Sequence, residues 1–173
     1  MTERGEQNPR TIRLAEWRAS SPSFKTLYAD GMRLVEESAE YLDGAGRAAA
    51  KGLSRAAATL YAAESMRLTT RLMQVASWML LQRAANSGEM TREQVASEKS
   101  KVRLDTATAS ADAPGWTELP DAFKDLVKRS LQLQALVQHL DAEIYGQKAA
   151  EAISGSNPVN DQIRLLRTAF PSR

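Results

Sequence analysis

Residues 47–86, RAAAKGLSRAAATLYAAESMRLTTRLMQVASWMLLQRAAN, decide the fold. They contain no proline, and Ala, Leu, Met, Gln and Arg, the strong helix formers, dominate. Tyr61, Ser65, Leu68, Leu72, Val75 and Met79 recur at steps of three and four, the spacing of one helical face. A second stripe, Met66, Thr70, Met73, Ser77 and Leu80, runs beside the first. The pattern predicts one helix from about Arg47 to Asn86, with Ser87-Gly88 as its end and Gly52 as a weak point where it breaks or kinks. From Val75 to Leu81, VASWMLL, the helix is apolar almost all round, so it needs cover on every side. The segment Thr91–Leu104, which opens with the capping-box pattern Thr91-x-x-Gln94, is placed to supply part of that cover.

Two further helices flank it. The first starts near Ser21-Pro22, with Ser as N-cap and Pro at the first helical position. Its core stripe is Phe24, Leu27, Gly31, Leu34, Ser38 and Tyr41, and Asp43-Gly44-Ala45-Gly46 is its turn. The last long helix begins at Pro120, with Asp121 in the first turn, where negative charge suits the helix dipole. Phe123, Leu126, Ser130, Leu133, Val137, Leu140 and Ile144 form its seam, and Gly146 is its expected end. Residues 105–118, DTATASADAPGWTE, read as a linker without period. The expected organisation is a disordered arm over 1–22, with Trp17 as a docking exception, a bundle over 23–146, and a flexible tail over 147–173 that carries a short amphipathic segment. The fold class is all-α: an antiparallel three-helix bundle with an extra short helix and flexible terminal segments.

Composition agrees. Ala and Leu outnumber Val and Ile by 47 to 11, which disfavours a sheet. There is no Cys and a single His, His139, so Cys-ligated zinc, iron–sulfur and His-pair metal sites are excluded. No cofactor is expected. The longest nearly charge-free apolar run, Leu72–Leu81, is about half a membrane span, and the amino terminus lacks the apolar stretch of a secretory signal, so the expected location is the cytoplasm. A formal net charge of +2 gives little support to nucleic-acid binding. The charges sort by helix: residues 24–43 carry five acids and two bases, residues 44–88 six bases and one acid, Glu64, which suggests charge pairing between the first two long helices.

Candidate chemistry is sparse. His139 has no evident nucleophile, and Asp141 falls on a different helical face, so a solvated histidine is the simpler reading. Asp43–Arg47 has two glycines before a helix but no preceding strand, and a helix–helix turn explains it. Glu64, Arg67 and Arg71 share one face, which continues into Trp78 and Leu81; the five form a candidate dimer or partner interface, whether as a buried network fixing register or as a solvated row of ion pairs. Arg47, Lys51 and Arg55 repeat every four residues as a basic stripe that could contact an acidic partner or phosphates, though such a stripe more often means a solvated face. Met32, Met66, Met73, Met79 and Met90 could suggest a plastic binding groove, but at these spacings core filling is the expected use for most of them. In the tail, Ile163, Leu166 and Phe170 form a compact apolar face for docking on a partner or on the home bundle.

The block SFKTLYADGMRLVEESAEYLDGAGR, followed by YAAESMRLTTRLMQVASWMLLQRAANSGEMTREQVASEKSKVRL and, more weakly, LPDAFKDLVKRSLQLQALVQHLD, resembles the alphaproteobacterial RcdA family, regulators of CtrA degradation. The resemblance spans roughly residues 23–145, and Glu64–Arg83 is its most specific part. It implies a dimeric three-helix bundle with a mobile carboxy-terminal tail. It also implies a non-enzymatic adaptor for the ClpXP protease, delivering cell-cycle proteins such as CtrA together with a CpdR-type response regulator and, in some cases, a PopA-type cyclic-di-GMP effector. The alternative from the residues alone is a helical nucleic-acid-associated regulator using the basic second helix.

Overall fold

A computed structural model describes residues 22–155, with side chains described through Gly146. The elements are α1 (Pro22–Asp43), α2 (Ala45–Ala50), α3 (Arg55–Ser87), α4 (Arg92–Lys99), a 3-10 turn (Trp116–Glu118) and α5 (Asp121–Gly155). All regular structure among the described residues is helical, as the composition required. The chain divides into two compact units at His139 and Leu140. The first holds the bundle; the described part of the second is the continuation of α5. The arm over 1–21 with Trp17, and the tail segment with Ile163, Leu166 and Phe170, lie outside the described residues.

The expected second helix begins later than its pattern suggests. Lys51–Ser54 forms a turn, and Ser54 caps α3 by accepting from the Ala57 N–H at 3.3 Å. Glycine at 52 and a serine able to cap two residues later outweigh the alanines around them. At the other end, α5 runs through Gly146 to Gly155. One helical glycine costs only ~1 kcal/mol relative to alanine, and good helix formers follow it.

Helices α1, α3 and α5 share one core, with Leu34, Tyr61, Leu68, Leu72, Phe123, Leu126 and Val127 buried in it. Cross-contacts fix the directions. Along α1 and α3, Gly31 lies beside Met79 and Tyr28 beside Arg83, whose guanidinium stands 5.3 Å over the Tyr28 ring. Along α1 and α5, Tyr41 stacks near Phe123 at 6.3 Å, and Arg129 pairs with Glu37 through two 2.7 Å bonds. Along α3 and α5, Tyr61 meets Phe123 at 4.6 Å and Arg71 meets Ser130 at 2.7 Å. Thus α1 is antiparallel to both partners, and α3 and α5 run parallel to each other.

Parallel neighbours need a return path along the bundle. Here α4 and residues 100–120 provide it. Thr91 and Gln94 form the expected capping box, and α4 folds back on α3, burying Val95 completely. Beyond it residues 102–110 are extended, and turns over 111–115 lead into the 3-10 turn. An extended residue advances about 3.3 Å against 1.5 Å in a helix, so this short stretch retraces roughly twenty residues of α3. Among the described residues, charge joins acidic α1 to α5 through Glu37 and Arg129, while Arg83 of the basic helix meets the Tyr28 ring and hydroxyl of α1. Glu37 and Arg129 are both partly exposed, so their pair contributes at most ~1 kcal/mol.

Candidate interaction surfaces

Residues 105–118, read from the sequence as a linker, are pinned across the face shared by α3 and α5. Val102, Leu104, Thr106 and Thr108 are half-buried and alternate with exposed Arg103, Asp105 and Ala107, the period of an extended strand with one face inward. Gln138 donates to the Leu104 carbonyl, and Thr106 Oγ1 donates to Gln74 Oε1 at 2.7 Å. Farther on, Gly115 has φ +87°, and a Cβ there would lie 2.6 Å from Ala57 Cα. Only a glycine lets the chain press this closely onto the backbone of α3. Glu118 closes the path by accepting from Ser54 Oγ at 3.0 Å and from the Ser54 N–H at 3.4 Å.

At the centre of this strap stand two charged side chains with no solvent exposure, Glu64 and Arg71, both 0% exposed. Arg71 donates from Nη1 to Ser130 Oγ at 2.7 Å, from Nη2 to the Ala107 carbonyl at 3.1 Å and from Nε to the Thr106 carbonyl at 3.4 Å. Glu64 accepts from Thr108 Oγ1 at 2.6 Å, from the Ala109 N–H at 2.9 Å and from Arg67. Burial by itself would raise the Glu64 pKa; bonds from Thr108, Arg67 and Ala109, together with the Arg67 charge, outweigh it and hold the carboxyl below its usual range. Burial also draws the Arg71 guanidinium downward, against the opposing charge of Glu64. Buried ions persist when their hydrogen-bonding sites are filled, and here the strap's backbone fills them.

The five residues expected at a dimer or partner interface therefore separate. Glu64, Arg71 and Trp78 are interior to the protomer, Trp78 being 1% exposed, because the strap and the neighbouring helices cover that face. Arg67 and Leu81 remain accessible in part. The basic stripe is also corrected. Arg47, Lys51 and Arg55 are all exposed, but the turn over Lys51–Ser54 splits them between α2, the turn and α3, so they do not share one helical face. His139 lies on the exposed side of α5.

The stripe beside the core stripe of α3 turns out to face outward. Met66 is 73% exposed, Met73 65% and Leu80 49%, which corrects the core-filling expectation for these two methionines; Met79 is fully buried as expected. Spaced by seven residues, Met66, Met73 and Leu80 lie nearly in line along the helix. Large apolar side chains aligned in this way are unusual on a surface that stays in water.

Among the described residues no cluster of three or more His, Asp or Glu side chains could hold a metal ion, and no helix is long and apolar enough to cross a membrane.

Comparison with known proteins adds two findings. The family described as protein of unknown function (DUF1465) matches residues 15–170. The crystal structure of RcdA from Caulobacter crescentus CB15 is similar to this chain at 48% sequence identity and a TM-score of 0.60, covering 72% of this chain and 92% of that one. No curated protein matches.

Proposed function

The chain belongs to the RcdA family, and from that membership we propose that it is a non-enzymatic adaptor which brings cell-cycle regulators such as CtrA to the ClpXP protease in the cytoplasm. In this reading it acts together with a CpdR-type response regulator. The observation that carries the reading furthest is the accessible apolar row Met66, Met73 and Leu80 on a rigid helix. An adaptor works by presenting surfaces to several proteins at once, and this row is a surface whose burial favours association.

We assign the row to a second copy of the chain. A helix with apolar residues every seven positions is suited to pack along its symmetry mate, and an isologous contact needs only one such patch. The tail residues Ile163, Leu166 and Phe170 are proposed as the segment that docks a partner. The accessible rim around Arg67 and Leu81 remains a proposed contact for such partners, whereas Glu64, Arg71 and Trp78 act by holding the scaffold. The basic residues Arg47, Lys51 and Arg55 are separate exposed charges, and nothing in their arrangement favours a nucleic-acid role.

The test is assembly from purified parts. Sedimentation of the full chain with a CpdR-type response regulator and ClpXP should give a complex larger than the protease and regulator form alone. Unchanged sedimentation of all components would overturn the proposal.

A further inference from the structure

Between the amino-terminal half of α3 and the end of the strap lies an open trough of about 700 Å³. Leu60 and Ala63 of α3 form one wall and Ala113 and Pro114 of the strap form the other, with Arg55 and Arg67 at its rim. Small side chains keep it open: alanines stand where a larger residue would fill the space. From these features we infer that the trough is a docking site for a short acidic segment of a partner polypeptide, with small or aliphatic residues beside its carboxylates.

Charge selects the occupant. Arg67 lines the trough with its side chain 45% exposed while it pairs with the buried carboxylate of Glu64. Arg55, exposed in the first turn of α3, adds a second positive charge to the lining. Glu118 directs both carboxylate oxygens to Ser54. Asp112, two residues before Pro114, is exposed. The lining holds two arginines, Arg55 and Arg67, and no acid, with Asp112 and Glu118 outside it, which leaves a positive rim over an apolar floor. Arginine binds carboxylates in a bidentate manner, and a partner carboxylate would find that geometry here. A nucleic acid fits worse: its phosphates have no use for the apolar walls, and two rim arginines are a small footprint. The trough is large enough for a few residues of extended chain, the size at which such recognition operates.

The inference does not depend on which protease the protein serves, and its test contains none, so its failure would leave the adaptor reading standing. The probe is the fluorescein-labelled peptide AELADALEA, titrated against the full-length protein at low salt and followed by anisotropy. Its amide isostere AQLANALQA and its cationic analogue AKLAKALKA serve as comparisons. Saturable binding of the acidic peptide alone is expected. Arg55→Glu should weaken it about tenfold or more, while Lys128→Glu on α5 should leave it unchanged. A glutamate in the first turn of a helix suits the helix dipole, so Arg55→Glu is compatible with folding. Ala63→Trp, which fills the trough, should abolish binding with an unchanged circular dichroism spectrum. Absence of binding, equal binding of the isostere, or insensitivity to both Arg55→Glu and Ala63→Trp would overturn the proposal. So would loss of self-association in those variants, which would assign the trough to a second copy of the chain.

Discussion

Arg71 of α3 and Ser130 of α5 meet at 2.7 Å in the interior of the bundle, and the two other nitrogens of the same guanidinium hold backbone carbonyls of the strap. One side chain thus ties together the parallel helices and the segment that makes their parallel arrangement attainable. Removing it leaves the Ala107 carbonyl without its side-chain donor, takes one donor each from the Thr106 carbonyl and Ser130 Oγ, and removes part of the compensation of a buried carboxylate. Arg71→Met should destabilise the protein by ~3–5 kcal/mol in urea unfolding, the range for breaking a buried charged network. Adding Glu64→Gln should recover part of that loss, because the two residues act on one network. A cost below ~1 kcal/mol for Arg71→Met would contradict this account of the strap.

Gly115 offers a second test of the same segment. Its φ of +87° and the 2.6 Å approach to Ala57 Cα act together, whereas Gly88 has φ +76° with open space around it. Gly88→Ala should therefore cost only the left-handed backbone strain of ~1–2 kcal/mol. Gly115→Ala should cost clearly more, because backbone rather than a flexible side chain must move. Equal shifts in thermal midpoint for the two variants would show that the strap is not pressed onto α3.

The Glu64 carboxyl has a pKa below its ordinary value of 4.5 when folded, so between the two values the unfolded chain binds more protons than the folded one. Its contribution to stability is full above the ordinary value and is lost as pH falls through the folded one. The stability difference between the parent protein and Glu64→Gln should be constant near neutrality and shrink below about pH 4.5. Glu37, held down by its bond from Arg129, loses its own contribution in both proteins and cancels in the comparison. A difference that grows on acidification would reverse the assigned sign.

The row on α3 separates association from folding. Met66, Met73 and Leu80 are exposed in the protomer, so replacing all three with Gln should leave the thermal midpoint within a few degrees. Light scattering coupled to chromatography should show a dimer for the parent protein and a monomer for the triple variant. A dimer in both would place the contact elsewhere.

Much of the bundle was readable in the residues, because helical periodicity reports burial directly. Phe24, Gly31, Leu34 and Ser38 on α1 and Tyr61, Leu68, Leu72, Val75 and Met79 on α3 are buried as their spacing predicts. The strap was missed because its composition is that of a linker and its alternation, Val102-x-Leu104-x-Thr106-x-Thr108, is carried by only four residues. That alternation was the available signal. The roles of Glu64 and Arg71 were hidden for a related reason. Apart from Arg67, their partners are backbone and side-chain groups of the strap and α5, 35 to 59 residues away, and spacing within a helix shows neighbours on that helix alone. The outward turn of Met66 and Met73 could not be read locally either, since a stripe facing a second chain and a stripe facing the core have the same period.

The most direct measurement of the central claim is the rate at which purified ClpXP degrades CtrA in the presence of a CpdR-type response regulator, with this protein titrated in. Degradation should accelerate with added protein and saturate, and the Met66, Met73 and Leu80 triple variant should show a weaker effect at equal concentration. A rate that stays at the value for protease and regulator alone, at every concentration of a folded full-length chain, would contradict that claim.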